Sequence, residues 1–383
     1  MKIMHVITGL EASGAETMLY KLVSGMDTDV FENIVVSMTD LGPIGIKMQA
    51  DGIRVEVLKM TRGMPDPRYI FQLAALMKRE KPDLVQTWLY HSDLLGGIAA
   101  RIAGIPVIWN IRQCDPRPSG TKNLTWLAAN LCARLSPRIP TRIIYCSESA
   151  QVSHHALGYD VNKFILIPNG FNLDSFHPDP GAYRSVREEL HLDSDQLIVG
   201  HAARFHPMKD HKTMLAACSI VHESFPNVHF VLCGEGVTES NEELMRQVVD
   251  HRLKSVCHLL GNRNDMPRLS AAFDIACLSS INGEGFPNVI GESMACSVPC
   301  VVTDVGDSAA IVGETGVVVM PGSPTDLAKG LIQMIEMGKM KRNLLGQTAR
   351  QRVEKYYSLS YIVDQYETLY LSINNQRYSA ATG

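Results

Sequence analysis

From its first residues the chain alternates short β-branched runs with longer amphipathic stretches, and that alternation leaves few folds open. KIMHVI at 2–7 leads into helix-like sequence, and the same pairing recurs with strands expected near 33–37, 53–57, 83–87, 106–110 and 141–145. Repeated β-then-α order builds a parallel sheet, because each crossover helix carries the chain back to start the next strand in the same direction and covers a face on the way. The stretch IPNGFNLDSFHPDPGAY (167–183), with three prolines and two glycines, interrupts the pattern and marks a boundary. A second series follows, with strands expected near 196–201, 228–232, 256–259, 274–278, 299–302 and 316–319, and residues 323–375 read as helical throughout. At 383 residues the chain exceeds the size that one core usually serves. The expectation is an α/β protein of two Rossmann-like, doubly wound domains, 1–175 and 176–355, with a closing segment, 356–383, that returns as a helix to the first domain.

Charge and cysteines narrow the setting. The net charge is −4, but residues 1–175 carry 18 basic and 16 acidic side chains against 18 and 24 in the remainder, so the first half is the one suited to an anionic surface. No nucleic-acid partner is expected. Nine cysteines without CxxC spacing, several inside apolar runs such as VLCG and IACLS, read as reduced core thiols of a cytoplasmic protein. The opening MKIMHVITGLEASGAE has neither a long apolar core nor a small-residue cleavage site, so no signal peptide is expected, and no apolar run reaches the roughly 20 residues of a membrane span.

Ligands of parallel sheets bind where strands end and helices begin, and four such loops stand out. GLEASGAE (9–16) places Gly14 at a helix start where an anion can approach; the alternative is a tight turn only. HAARFHPMKDH (201–211) places Arg204 and Lys209 in one loop, able to neutralise a diphosphate, unless they are two solvated surface cations. LCGEG (232–236) has the glycines that let backbone lie against a flat base; the alternative is a turn only. In EGFPNVIGE (284–292), Glu284 falls in a loop, Pro287 in the first helical turn, and Glu292 about one turn inside a helix starting near Asn288. Two carboxylates at different depths around a helix N-terminus suit two hydroxyl-bearing groups flanking a phosphate. The alternative leaves Glu284 solvated and Glu292 interacting only with the helix dipole.

These loops, with SGAE, PNGFNLDSFHP, EGFPNVIGESMACSVP and TGVVV, resemble the family 4 glycosyltransferases over nearly the whole chain. The resemblance implies the GT-B fold, two domains facing each other across a cleft, and retaining transfer of a sugar from a nucleotide-diphosphate sugar to a saccharide or lipid-linked saccharide acceptor. It implies that Glu292 binds the ribose hydroxyls and Glu284 the transferred sugar, with backbone groups of Gly285, Phe286, Pro287 and Asn288. Arg204 and Lys209 would hold the diphosphate and Gly14 approach it, while Gly234, Glu235, Gly236, Asp265 and Met266 would receive the base. The diphosphate itself would take the acceptor's proton, so Glu284 is not read as a nucleophile. Two other readings keep the same architecture: a sugar-nucleotide 2-epimerase, or a non-catalytic nucleotide-binding partner.

The sequence departs from the family at the strand PVIWNIR, where a histidine is usual and Arg112 stands with Asn110 beside it. Ser297 replaces the glycine of the usual ACGVP, read as a small-for-small change. His91 in TWLYHSD is an acceptor-side candidate or a packed histidine. No cofactor and no metal are expected: the Asp-any-Asp matches at 27–29 and 193–195 fall away from the four loops. Residues 111–142 carry Arg112, Arg117, Lys122, Arg134, Arg138 and Arg142 against one acid, Asp115, with Leu124, Trp126, Leu127, Leu131 and Leu135 on a helical segment. This stretch is the expected contact with the anionic inner face of the cell membrane, or else a packed helix with solvated ends.

Overall fold

The computed structural model describes residues 1–61, 66–114 and 123–382. Contacts group the chain into two units, Met1–Gly170 with Leu359–Gly383, and Phe171–Ser358. The first holds a seven-stranded parallel sheet: β1 (Lys2–Ile7), β2 (Glu32–Ser37), β3 (Arg54–Val57), β4 (Leu84–Trp88), β5 (Val107–Ile111), β6 (Arg142–Tyr145) and β7 (Phe164–Leu166). Its order is β3-β2-β1-β4-β5-β6-β7, with Ile3 opposite both Asn33 and Leu84, so the winding reverses between β1 and β4. Both faces are covered, which is why β4 and β5 are buried at every position.

Alternate residues supply the two cores. Val6, Val36, Val85, Trp109 and Tyr145 point one way, while Ile7, Val35, Leu84, Trp88 and Ile144 pack with Ile362, Val363, Tyr366 and Tyr370 of the helix Leu359–Thr382. That helix is also tied down by buried hydrogen bonds: the Tyr370 hydroxyl donates to Gln86 at 2.6 Å, and the Asn110 amide donates to the Tyr366 hydroxyl at 3.0 Å.

The second unit holds β8 (Leu197–Ala202), β9 (Val228–Cys233), β10 (Cys257–Leu259), β11 (Ile275–Leu278), β12 (Cys300–Thr303) and β13 (Gly316–Val319). All pair in parallel in the order β10-β9-β8-β11-β12-β13, reversing between β8 and β11. The loops that follow β8 and β11 therefore flank the reversal at the carboxyl edge, where a parallel sheet offers a crevice.

Two local features depart from the sequence reading. The edge strand β7 is not among the expected strands; it ends at Leu166, directly before the boundary stretch 167–183. The helix Pro180–Glu189 begins inside the proline-rich stretch, with Asp179 accepting from the Gly181 N–H as its cap. Residues 323–375 are helical as expected, in three successive helices, Pro324–Glu336, Gly338–Tyr356 and Leu359–Thr382, and the break at Tyr357 and Ser358 is where Ser358 bridges Phe171.

Candidate active site

Backbone bonds lash the loops after β8 and β9 together. The Ala203 N–H donates to the Cys233 carbonyl at 2.8 Å and the Phe205 N–H to that of Glu235 at 2.7 Å. Gly234 makes this approach possible: its φ is +144°, and a Cβ there would lie 2.3 Å from the Ala203 oxygen. The β8 loop then makes a 3₁₀ turn, Pro207–Lys209, before Asp210 caps the helix His211–Ser224 by accepting from the Thr213 N–H. Arg204 is exposed and has no ion pair among the described residues; Lys209 is half-buried. Beneath them lie His201 and His211, both pushed down by burial, His211 to about 4, so neither adds positive charge near neutral pH.

The β11 loop is built onto this one. Ser279 donates its hydroxyl to the Lys209 carbonyl at 2.7 Å, and the Ile281 N–H donates to the Met208 carbonyl at 2.9 Å. Because the Ser279 proton is used, His201 Nε2, 3.0 Å from the same oxygen, is the donor of that pair. Lys209 Nζ pairs with Glu284 Oε1, and the Ser280 hydroxyl donates to that same oxygen at 2.5 Å. Glu284 is 8% exposed, so it is not the solvated carboxylate of the alternative reading. Leaving a buried carboxylate unpaired would cost several kcal/mol, and the ammonium and hydroxyl offset that cost.

Pro287 precedes the helix Asn288–Ala295 in extended backbone, φ −72° and ψ 103°, rather than sitting within its first turn. The Phe286 ring stacks on Phe171 at 6.1 Å and meets Tyr357 edge-on, so this side chain anchors the loop and only its backbone is open to a ligand. Glu292 is half-buried one turn into the helix, with Gly285 and Asn288 at the loop's end. The helix closes at Ser297, whose φ is +60°.

Among the residues expected at a base, Glu235 and Gly236 are exposed, and Met266 opens the helix Met266–Ala271 with its sulfur 3.8 Å from Cys233 Sγ. The Asp265 carboxylate is already engaged. Arg263 grips it at 2.8 Å and Arg268 donates to it at 2.8 Å, with Glu189 completing a ring of charges, and these partners hold it well below the usual carboxylate range. Asp265 can therefore offer a base its backbone, not its side chain.

In the first unit, Gly14 opens the helix Gly14–Gly25, and a Cβ there would meet nothing within 4 Å. That helix start brings its own acid, however: Ser13 donates to the buried Glu16 carboxyl, which burial pushes up. His91 is half-buried at the start of the helix Tyr90–Ala103, beside Leu89, whose φ of 72° and ψ of 156° mark a strained backbone at this sheet's reversal. Asn110 and Arg112 are occupied by packing. Arg112 donates to the Asn169 side chain, the Ile167 carbonyl and the Tyr366 hydroxyl, and its guanidinium lies 5.7 Å from the Trp88 ring centroid.

Arg117, Lys122 and Asp115 lie outside the described residues. The helix Asn123–Leu135 packs through Ala128, Ala129, Cys132 and Ala133, leaving Leu124 37% and Leu127 54% exposed, with Arg134 and Arg138 also outward. No described helix is long and apolar enough to cross a membrane. Among the described residues no three His, Cys, Asp or Glu side chains are grouped to hold a metal ion. The sequence reading missed Ser279 and Ser280; the signal was a pair of hydroxyls closing the buried run IACLSS.

Two family models match, Glycosyltransferase Family 4 over residues 12–175 and Glycosyl transferases group 1 over 183–352. The UDP-Gal:alpha-D-GlcNAc-diphosphoundecaprenol alpha-1,3-galactosyltransferase of Escherichia coli is 25% identical over 313 residues, 80% of each chain. The capsular polysaccharide biosynthesis glycosyltransferase CapM of Staphylococcus aureus is 25% identical over 343 residues, 84% of this chain and 86% of its own. Among solved structures, Anabaena Alr3699/HepE in complex with UDP superposes with a TM-score of 0.85 at 23% identity, covering 97% of this chain and 100% of that one.

Proposed function

Because this chain belongs to the family 4 glycosyltransferases, we propose that it moves a sugar, with retention of anomeric configuration, from a nucleoside-diphosphate sugar to a lipid-linked saccharide. The setting is polysaccharide biosynthesis. The acceptor class follows from the lipid-diphosphate saccharide named for the Escherichia coli relative, and a uridine nucleotide is the first candidate because HepE was crystallised with UDP. The observation that carries the reading is the cluster at the β8/β11 reversal. There Lys209, with ammonium protons to spare, pairs with a nearly buried Glu284, and Arg204 is exposed in the same β8 loop as Lys209.

Each group has a separate task. Arg204 can take two phosphate oxygens through its planar fork, and Lys209 contributes a point charge that stabilises the diphosphate as it leaves. Glu284, held from one side, presents its second oxygen toward the sugar. Glu292, one helical turn further in, is placed for the ribose. The acceptor's proton passes to the departing diphosphate, and positive charge comes from these side chains with no metal ion required.

The test is thermal unfolding with UDP, GDP, ADP and CDP, each with and without EDTA. A ligand at about a hundred times its dissociation constant adds roughly 2.7 kcal/mol. Stabilisation by one nucleotide, unchanged by EDTA, supports the reading; no stabilisation by any of the four would overturn it.

A further inference from the structure

Ser280 has no proposed contact with the donor, yet it is fully buried two residues beyond β11 and spends its one hydroxyl proton on Glu284. Its own backbone is fixed as well, since the Thr303 hydroxyl at the end of β12 donates to the Ser280 carbonyl at 2.7 Å. Lys209 pairs with the same oxygen, Glu284 Oε1. The Lys209 backbone is in turn held by Ser279, the preceding residue. Consecutive serines thus grip both members of the ion pair, one by its main chain and one by its carboxylate. Between Ser280 and Glu284 the chain turns at Gly283, whose φ of +74° favours glycine.

We propose that Ser280 is a positioning residue for sugar transfer. By sharing Oε1 with Lys209 it locks the Glu284 carboxylate in one orientation, so that Oε2 alone faces the donor sugar. An ion pair by itself would not do this, because an ammonium on a flexible stem follows a carboxylate through several rotamers, whereas a hydroxyl on a buried strand end is a fixed point. The inference rests on the proposed role of Glu284 and deepens it.

The test compares wild type, Ser280→Ala, Ser280→Cys and Glu284→Ala. Affinity is measured for whichever of UDP, GDP, ADP or CDP protects the wild type against heat. Turnover is followed as transfer to water, which releases that nucleotide and the free sugar from its glucose, galactose and N-acetylhexosamine esters. Ser280→Ala is expected to lower kcat about tenfold, the usual consequence of losing one hydrogen bond to a charged group, with bare-nucleotide affinity within twofold of wild type. Turnover within twofold of wild type overturns the proposal. So does a parallel loss of nucleotide affinity, which would mean a general structural role. If Ser280→Ala does not fold, Ser280→Cys, close in volume but a weaker donor, is read the same way. A crystal structure of either variant decides the matter without turnover: a displaced or multiply oriented Glu284 beside an unmoved Lys209 is expected, and an unmoved Glu284 refutes it. Normal turnover in Glu284→Ala would instead sink the role of Glu284 itself, while a slow Glu284→Ala beside a normal Ser280→Ala sinks only this inference.

Discussion

Replacing Ser297 by glycine should stabilise the second unit, although the residue touches no proposed ligand. The helix Asn288–Ala295, which carries Glu292, ends in a Schellman motif: the Ser297 N–H donates to the Met294 carbonyl at 2.9 Å and the Val298 N–H to that of Ser293 at 3.0 Å. The residue at the turn must be left-handed, and Ser297 is, at φ +60°. An L-residue with a Cβ pays about 1–2 kcal/mol for that conformation. Glycine avoids this but loses about 0.5–1 kcal/mol more chain entropy on folding. The midpoints of these ranges leave a gain of about 0.75 kcal/mol, which for a unit of this size is about 1.5–3 °C in Tm. Urea unfolding followed by circular dichroism reads it, with Ser297→Ala as control. Alanine keeps the Cβ and removes only the hydroxyl, so it should fall within about 0.5 kcal/mol of wild type. Equal or lower stability in Ser297→Gly, or a gain of the same size in Ser297→Ala, would refute the reasoning.

Two further outcomes are expected. Burial raises the Asp93 carboxyl well above its usual range, so the fold favours its neutral form. That contribution is complete below the unfolded value of about 3.9 and is lost as pH rises through the folded one. Asp93→Asn, neutral throughout, should therefore gain on wild type between pH 5 and pH 8 in urea midpoints, and identical pH dependence of the two would contradict this. Leu124 and Leu127 are exposed near the start of the helix Asn123–Leu135, and Arg134 and Arg138 are exposed at and beyond its end, so the expected contact with an anionic lipid surface can be tested there. Cosedimentation with phosphatidylglycerol vesicles at low salt should fall severalfold in Arg134→Glu with Arg138→Glu; no binding by wild type, or none lost in the variant, would remove the idea.

The strands were legible because both sheets are buried on both faces, which writes continuous β-branched runs into the sequence, as in VIWNI and CVVT. Edge strand β7 escaped because three residues beside a proline carry too little pattern. The helix Asn123–Leu135 shows a different limit. Its leucines read equally as a membrane contact or as a packed face, whereas the alanines and Cys132, which the sequence reading passed over, face the core because they allow close approach to the neighbouring helix Tyr90–Ala103. Ser297 was read by size, whereas the site selects for backbone conformation. Asn110 and Arg112 looked available because their partners, Tyr366 and Asn169, are distant in sequence. The same holds for Glu284: its spacing from Glu292 announced the site, but its burial, its ammonium partner and its serine donor exist only once β11 lies beside β8.

The central claim is that Glu292 and Glu284 serve different parts of one donor. It is tested most directly by titrating bare UDP into wild type, Glu284→Ala and Glu292→Ala, and following turnover of the UDP-sugar in parallel. The account predicts weakened UDP binding in Glu292→Ala only, with Glu284→Ala keeping wild-type affinity while losing turnover. Equal weakening of bare UDP by both substitutions would contradict it.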